Sequence, residues 1–300
     1  FPSNSRLRVL VNHDTLFSGI RAQFMASLWQ TDMLFNLSEY HKRQYCEQIP
    51  ELDSHIFVTK NGIDLEEIDK ATAGIPTNTK QFVYGSRPER GLDVLLTKIW
   101  PRLYEKDTER VLCLAGYSLD AGVKLPENMV AFYASMKDLI DKTPGVVDMG
   151  CLKKSDWYRL LANSAACLYS TAFPEIFCIT AAESQACGTP IITPQDFALP
   201  EVVVDRRCLI SGKNTSIEYQ DEFVTRVEEL LKNDIYYKSV QRVGREHVES
   251  QYPWPKVAEE WEEKILSFFE DRYRKNKHWV FRQLLYNSDV LMAKEMGRQE

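Results

Sequence analysis

From Gln81 onward the chain repeats one pattern: a short apolar run, then a segment whose apolar residues have helical spacing. The runs lie at 81–84, 110–115, 146–149, 166–169, 190–193 and 208–210, with helical segments over 92–104, 129–141, 154–163 and 179–186 among them. Strands that are apolar along their length are buried on both faces. When helices separate them, they pair in parallel through right-handed crossovers. Six such strands predict a doubly wound α/β domain, whose ligands sit beyond the carboxyl ends of the strands. Gly85, Gly116 and Gly150 each end one of these runs.

Residues 1–64 read as a partial, shorter version of the same Rossmann-like design. It has strands at 8–12, 32–37 and 55–58, a helix over 20–29, and a second helix that Ser38 can cap and that runs through Cys46. Asn61-Gly62 supplies a turn signal at its end. The ligand-binding domain is expected over 65–268, with helical patterning at 228–231, 240–247 and 257–269. A charged helix follows over 269–300. Its Trp279, Phe281, Leu284, Leu285, Leu291 and Met292 make one face apolar, which calls for a partner surface in the N-terminal segment or another chain.

Composition narrows the function classes. A net charge of −6 argues against a general nucleic-acid binder. No apolar run approaches the length of a membrane span. The seven cysteines form no Cys-x-x-Cys pair and sit mostly in apolar stretches, as small buried hydrophobes in a reducing compartment do. Neither zinc spacing nor Asp-x-Asp occurs, so no metal site is expected. The chain opens Phe1-Pro2-Ser3 without a signal peptide and reads as a piece of a longer protein.

Two constellations carry chemistry. The stretch from Tyr84 to Leu92, Tyr-Gly-Ser-Arg-Pro-Glu-Arg-Gly-Leu, leaves a strand, turns and enters a helix. Arg87 and Arg90 flank the turn, and two guanidinium groups beside a helix N-terminus can hold a diphosphate. An arginine pair on a solvated loop gives the same spacing. The second stretch runs from Phe173 to Glu183. Glu175 falls on a strand-end loop and Glu183 on the helix that starts near Phe177. Two carboxylates so placed can accept hydrogen bonds from sugar hydroxyls, while the amides of Phe177, Cys178 and Ile179 open the helix toward a phosphate. A third feature, His13-Asp14 after the first strand, is weaker, because a lone histidine is more often structural.

With these residues the sequence resembles the retaining, GT-B fold glycosyltransferases of family four, the glycosyl transferases group 1. The likeness runs from about Leu37 to Leu266. Ser38-Glu39-Tyr40-His41-Lys42 followed by Asn61-Gly62-Ile63-Asp64 resembles the family's passage between domains, and Trp254-Pro255-Lys256-Val257 its terminal helix region. The resemblance implies a donor domain that binds a UDP- or GDP-sugar and moves the sugar to a glycan or other hydroxyl acceptor, with no cofactor and no metal. In that reading Arg87 and Arg90 stabilise the diphosphate leaving group, and Glu175 contacts the donor sugar. Glu183 binds the ribose, and Gly85, Ser86 and Gly91 shape the phosphate loop. Gly150, Cys151 and Leu152 frame the base. Phe177, Cys178, Ile179 and Thr180 line the donor, and His13 stands beside the reacting sugar. The family also implies surface polysaccharide synthesis in the cytoplasm, with peripheral membrane contact through the first domain.

Two departures stand out. The family usually has glycine where Cys178 stands. Its first domain is longer than the segment here and opens with a glycine-rich loop, so much of the acceptor half is expected to be missing, leaving a chain that binds nucleotide but transfers sugar poorly. A GT-B nucleotide-sugar epimerase and a non-catalytic nucleotide-binding or interaction module are the alternative readings.

Overall fold

The computed structural model describes residues 7–16, 24, 31–116 and 127–275. The helix expected over 20–29 and most of that expected over 269–300 lie outside the described residues.

The N-terminal segment is a parallel sheet in the order β1 (Val9–Val11), β2 (Met33–Asn36), β3 (Ile56–Val58). All four residues of β2 are buried, as befits a central parallel strand. Between β2 and β3 runs α1 (Glu39–Gln48). Ser38 caps it, its hydroxyl oxygen accepting from the His41 amide at 3.0 Å. Tyr45, Ile49 and Leu52 close a small core against Leu34 and Ile56.

The second sheet has six strands: β4 (Asn78–Tyr84), β5 (Val111–Leu114), β6 (Val146–Asp148), β7 (Ser164–Leu168), β8 (Ile191–Pro194) and β9 (Leu209–Ile210). Their spatial order is β6-β5-β4-β7-β8-β9, and every neighbouring pair is parallel. Numbered from β4, this is the dinucleotide-fold order 3-2-1-4-5-6. The order reverses between β4 and β7, and there a doubly wound sheet opens a crevice at its carboxyl edge. Around the sheet lie α2 (Leu65–Thr72), α3 (Leu92–Val94, a π-helical turn over Leu95–Ile99, then Trp100–Lys106), α4 (Glu127–Lys142), α5 (Lys154–Asn163), α6 (Ile179–Ala186), α7 (Leu199–Val202), α8 (Ile217–Lys232) and α9 (Asp234–Gln251). The core runs between sheet and helices. Trp100, fully buried, packs edge-on against Phe82 of β4 and gives its indole N–H to the Pro144 carbonyl at 2.8 Å.

α2 is a difference from the sequence reading, which saw only the Asn61-Gly62 turn. Asp64 starts it by accepting from the Glu67 amide at 2.9 Å. Gly62 is required there, because an added Cβ would fall 2.1 Å from the Trp254 indole. The Ile63 amide bonds to the Tyr252 carbonyl at 2.6 Å, and Lys60 reaches Gln251 at 3.1 Å.

The two sheets are tied across the sequence by one carboxylate. Glu201 of α7 accepts from the amides of Glu39 at 2.8 Å and Tyr40 at 2.7 Å, the first two of α1. With Ser38 on His41, every amide in the opening of α1 up to His41 has a partner. Tyr40 also meets Phe197 edge-on.

The chain divides into two compact units, Phe1–Trp254 and Pro255–Glu300. Both sheets belong to the first. In the second, α10 (Trp254–Lys275) runs without a break through the boundary expected at 268. Among the described residues no helix is long and apolar enough to cross a membrane. All seven cysteines are unpaired; four are buried, Cys46 and Cys187 are half-buried, and Cys151 is exposed.

Candidate functional site

The loop leaving β4 is shaped by proline and glycine. Pro88 opens a short 3-10 turn over Pro88–Arg90, and Gly91 follows with φ +96°. A Cβ on Gly91 would lie 2.3 Å from the Ser170 carbonyl oxygen, so only glycine lets this turn rest on the loop after β7. The Ser170 hydroxyl then donates to the Gly91 carbonyl at 3.2 Å. The contact aims Arg90 across the switch point.

There Arg90 Nη1 donates to Glu175 Oε1 at 2.8 Å, and its guanidinium stacks 4.0 Å over the Phe173 ring. The Tyr169 hydroxyl donates to the same carboxylate oxygen. Glu175 is almost fully buried, and its backbone carbonyl takes the Ala198 amide at 3.0 Å. Burial opposes the Arg90 charge, but Glu175 and Tyr169 outweigh it and raise the arginine pKa. Burial first, and then its neighbours Cys178 and Glu175, push the Tyr169 hydroxyl well above the usual range, so it stays a protonated donor.

Glu183 forms the second cluster. Its Oε2 accepts from the Trp157 indole N–H at 2.8 Å; its Oε1 accepts from Lys154 and, at 3.4 Å, from the Tyr158 hydroxyl. The three donors share one face of α5 through their i, i+3, i+4 spacing. Trp157 in turn covers Gly85, where an added Cβ would sit 2.0 Å from the indole. The Thr180 hydroxyl donates to the Gly85 carbonyl at 2.9 Å, which ties α6 to the loop after β4. Arg90–Glu175 and the Glu183 cluster therefore both meet the loop that leaves β4, at the β4/β7 switch point.

The helix between the two glutamates begins at Ile179, where the apolar spacing of 179–186 puts it. Cys178 precedes it with φ +68°, and no side chain caps α6. Phe177 is buried edge-on against Tyr252, while Ile179 is 46% exposed. The uncapped positive end of α6 thus meets the loop after β4 through Thr180, and Phe177 serves as packing.

Both glutamates were expected as acceptors for sugar hydroxyls; each already has protein donors. Gly85 was expected to let phosphate approach; its space is filled by Trp157. Ser86 is 3.5 Å from the Tyr169 hydroxyl. Arg87 is half-exposed, 3.9 Å from Glu89. Gly150 has φ +63° and its amide donates to Asp148 at 2.9 Å; Leu152 packs on the core. A pocket of about 30 Å³ opens beside them, lined by Ser86, Pro88, Leu114, Gly116 and Asp148.

His13 is exposed at the carboxyl end of β1. The buried histidine is His41, which accepts the Leu37 amide at Nδ1 (3.1 Å) and bonds through Nε2 to the Asp14 carbonyl (2.9 Å). Sequence reasoning missed Lys154, Trp157 and Tyr169. The helical spacing of Lys154, Trp157 and Tyr158 was a visible signal, but it does not name Glu183 as their target. Among the described residues no group of three or more His, Cys, Asp or Glu side chains could hold a metal ion.

Two Rossmann-like parallel sheets, with basic and acidic side chains meeting at the switch point of the second, define the GT-B type of glycosyltransferase. The profile described as glycosyl transferases group 1 matches residues 66–247, and the chain belongs to that family. A D-inositol 3-phosphate glycosyltransferase of Nocardiopsis dassonvillei is 24% identical over 251 residues, covering 77% of this chain and 54% of the relative. Sucrose synthase 6 of Arabidopsis thaliana is 23% identical over 145 residues, 45% of this chain and 15% of that protein. The chain spans about half the length of the first curated relatives it matches. Among solved structures, Anabaena HepE in complex with UDP and glucose superposes with a TM-score of 0.67 at 16% identity, covering 87% of this chain and 72% of that one. Sucrose-phosphate synthase from Thermosynechococcus elongatus gives 0.68 at 16% identity, covering 88% and 68%. At such identity the structural likeness speaks to the fold.

Proposed function

We propose that the chain binds a nucleotide-diphospho-sugar in the β4/β7 crevice and serves its transfer, with retention, to a hydroxyl of a glycan or glycoside acceptor. One observation carries this reading. Arg90 with Glu175, and Lys154 with Glu183, converge from distant parts of the sequence on the carboxyl edge where a doubly wound sheet takes its ligand. The UDP complex of HepE, a protein of the same fold, lends support to the nucleotide.

In this reading Arg87, Arg90 and the open end of α6 take the diphosphate and neutralise the charge that develops as the glycosidic oxygen leaves. Gly85, Ser86 and Gly91 shape the loop that approaches it. Glu175 and Glu183 accept from sugar and ribose hydroxyls. Gly150, Cys151 and Leu152 border the base, and Phe177, Cys178, Ile179 and Thr180 the donor. His13, at the corresponding edge of the first sheet, is the acceptor-side residue. Basic side chains, in place of a divalent cation, carry the phosphate charge. Rate enhancement comes from alignment of donor and acceptor and from leaving-group stabilisation.

Calorimetric titration of the chain with UDP and GDP tests this. Wild-type protein binds one of them with micromolar-range affinity, and Arg90→Ala and Glu183→Ala each weaken it about tenfold or more. EDTA leaves the affinity unchanged. Equal affinity in all three proteins would remove these residues from the site.

A further inference from the structure

The Glu183 cluster includes one exposed cation, Lys154. Lys154 is 58% exposed at its side chain, whereas Glu183 is 6% exposed. Lys154 is the first residue of α5, where the helix dipole disfavours a cation. Its neighbour Lys153 adds a second positive charge and caps nothing. Meanwhile Glu183 has fixed donors without Lys154: the buried Trp157 indole, pinned over Gly85, and the buried Tyr158 hydroxyl. The carboxylate is therefore held by two buried donors and covered by one long, solvent-facing side chain, whose ammonium lies 5.6 Å from the Tyr158 ring centroid.

The charge balance of the crevice says what that cover is for. Arg90 is committed to Glu175 and Lys154 to Glu183, each pair neutral. A diphosphate brings about two negative charges into this space, where both arginines of the loop already face carboxylates, Arg90 on Glu175 and Arg87 3.9 Å from Glu89. Ribose hydroxyls are neutral donors and can replace an ammonium on a carboxylate without adding charge. Resting on the donor reading above, we propose that Lys154 is a further donor-binding residue. The ribose takes its place on Glu183, and the released ammonium turns to the diphosphate. Ribose and phosphate recognition are then coupled through one side chain. Trp157 keeps the first turn of α5, which begins with Lys154, against Gly85 at the start of the loop that carries Arg87 and Arg90.

The test compares the nucleoside diphosphate that wild-type protein binds, UDP or GDP, with its parent nucleoside, in wild-type, Lys154→Gln and Lys154→Arg proteins. Lys154→Gln is expected to weaken the diphosphate about tenfold or more, to leave the nucleoside unchanged or tighter, and to flatten the salt dependence of diphosphate affinity. Lys154→Arg keeps most of the wild-type preference. A lysine that only holds Glu183 in place would move nucleoside and diphosphate together, and that result overturns the proposal. So does a Lys154→Gln protein with unchanged diphosphate affinity while Arg90→Ala is impaired, which leaves the donor reading intact. Wild-type protein that binds neither nucleotide would overturn both. Thermal melting of each variant confirms that exposed position 154 leaves the fold in place.

Discussion

Gly91 and Cys178 both sit in left-handed backbone, at φ +96° and +68°, and each bends the chain into the crevice. For Gly91 the absence of a Cβ is also a packing requirement against Ser170. Gly91→Ala therefore meets a left-handed penalty of about 1–2 kcal/mol and a backbone collision as well. Urea unfolding should show a loss of more than about 2 kcal/mol, with nucleotide affinity falling because Arg90 is displaced; an unchanged midpoint would contradict this. Cys178 accepts the same backbone with a side chain, where the family usually has glycine. Its thiol is buried beside Glu175 and Arg90, and burial first, then Glu175, holds its pKa well above the usual range. The departure thus closes space at the start of α6 without supplying a thiolate. Buried His41 titrates with a defined sign. Burial lowers its pKa in the folded chain, so the unfolded chain takes the proton first as pH falls. Its contribution is whole above about pH 6.5 and is lost below it, as the Leu37 amide loses its acceptor. His247, also lowered by burial, acts in the same direction. Unfolding free energy should drop from pH 7.5 to 5.5, and His41→Gln should show a smaller drop; an equal drop would remove His41 as a cause.

At the level of elements, the central strands were legible because a parallel strand covered on both faces carries a short run of apolar residues. β7 is buried at all five positions, and it was found within two residues. α5 and α6 were found at the ends the structure gives them. α2 escaped because its start depends on one Asp64 cap and its first turn is mostly acidic. The site was legible as far as its loops. Arg90 and Glu175 could be placed at adjacent strand ends, but their ion pair, and the commitment of Glu183 to α5, are contacts that spacing does not encode. The clasp on α1 was equally hidden: Glu201 reaches amides more than a hundred residues away in sequence. Glu201→Ala should cost about 1–2 kcal/mol, as loss of a helix cap does, and should speed amide exchange at Glu39 and Tyr40 while leaving α5 and α6 protected. Exchange unchanged at those two amides would show that the clasp does not hold the helix.

Over the whole molecule the chain is acidic, yet four of its basic side chains gather at one edge of one sheet. With a net charge of −6, Arg87, Arg90, Lys153 and Lys154 stand at the carboxyl ends around the switch point. The two sheets of the first unit meet through Glu201, Lys60 and Ile63, so the exposed His13 edge and the donor edge belong to one compact body. Ala198 hydrogen-bonds the Glu175 carbonyl within the same segment that carries Glu201, which links donor loop and clasp by backbone alone. The account rests on one placement, that of the nucleotide. A crystal structure of the chain with UDP or GDP tests it directly. The diphosphate should lie within hydrogen-bond distance of Arg90 and the amides opening α6, with the ribose on Glu183. A nucleotide bound elsewhere, with the β4/β7 crevice unchanged, would contradict it.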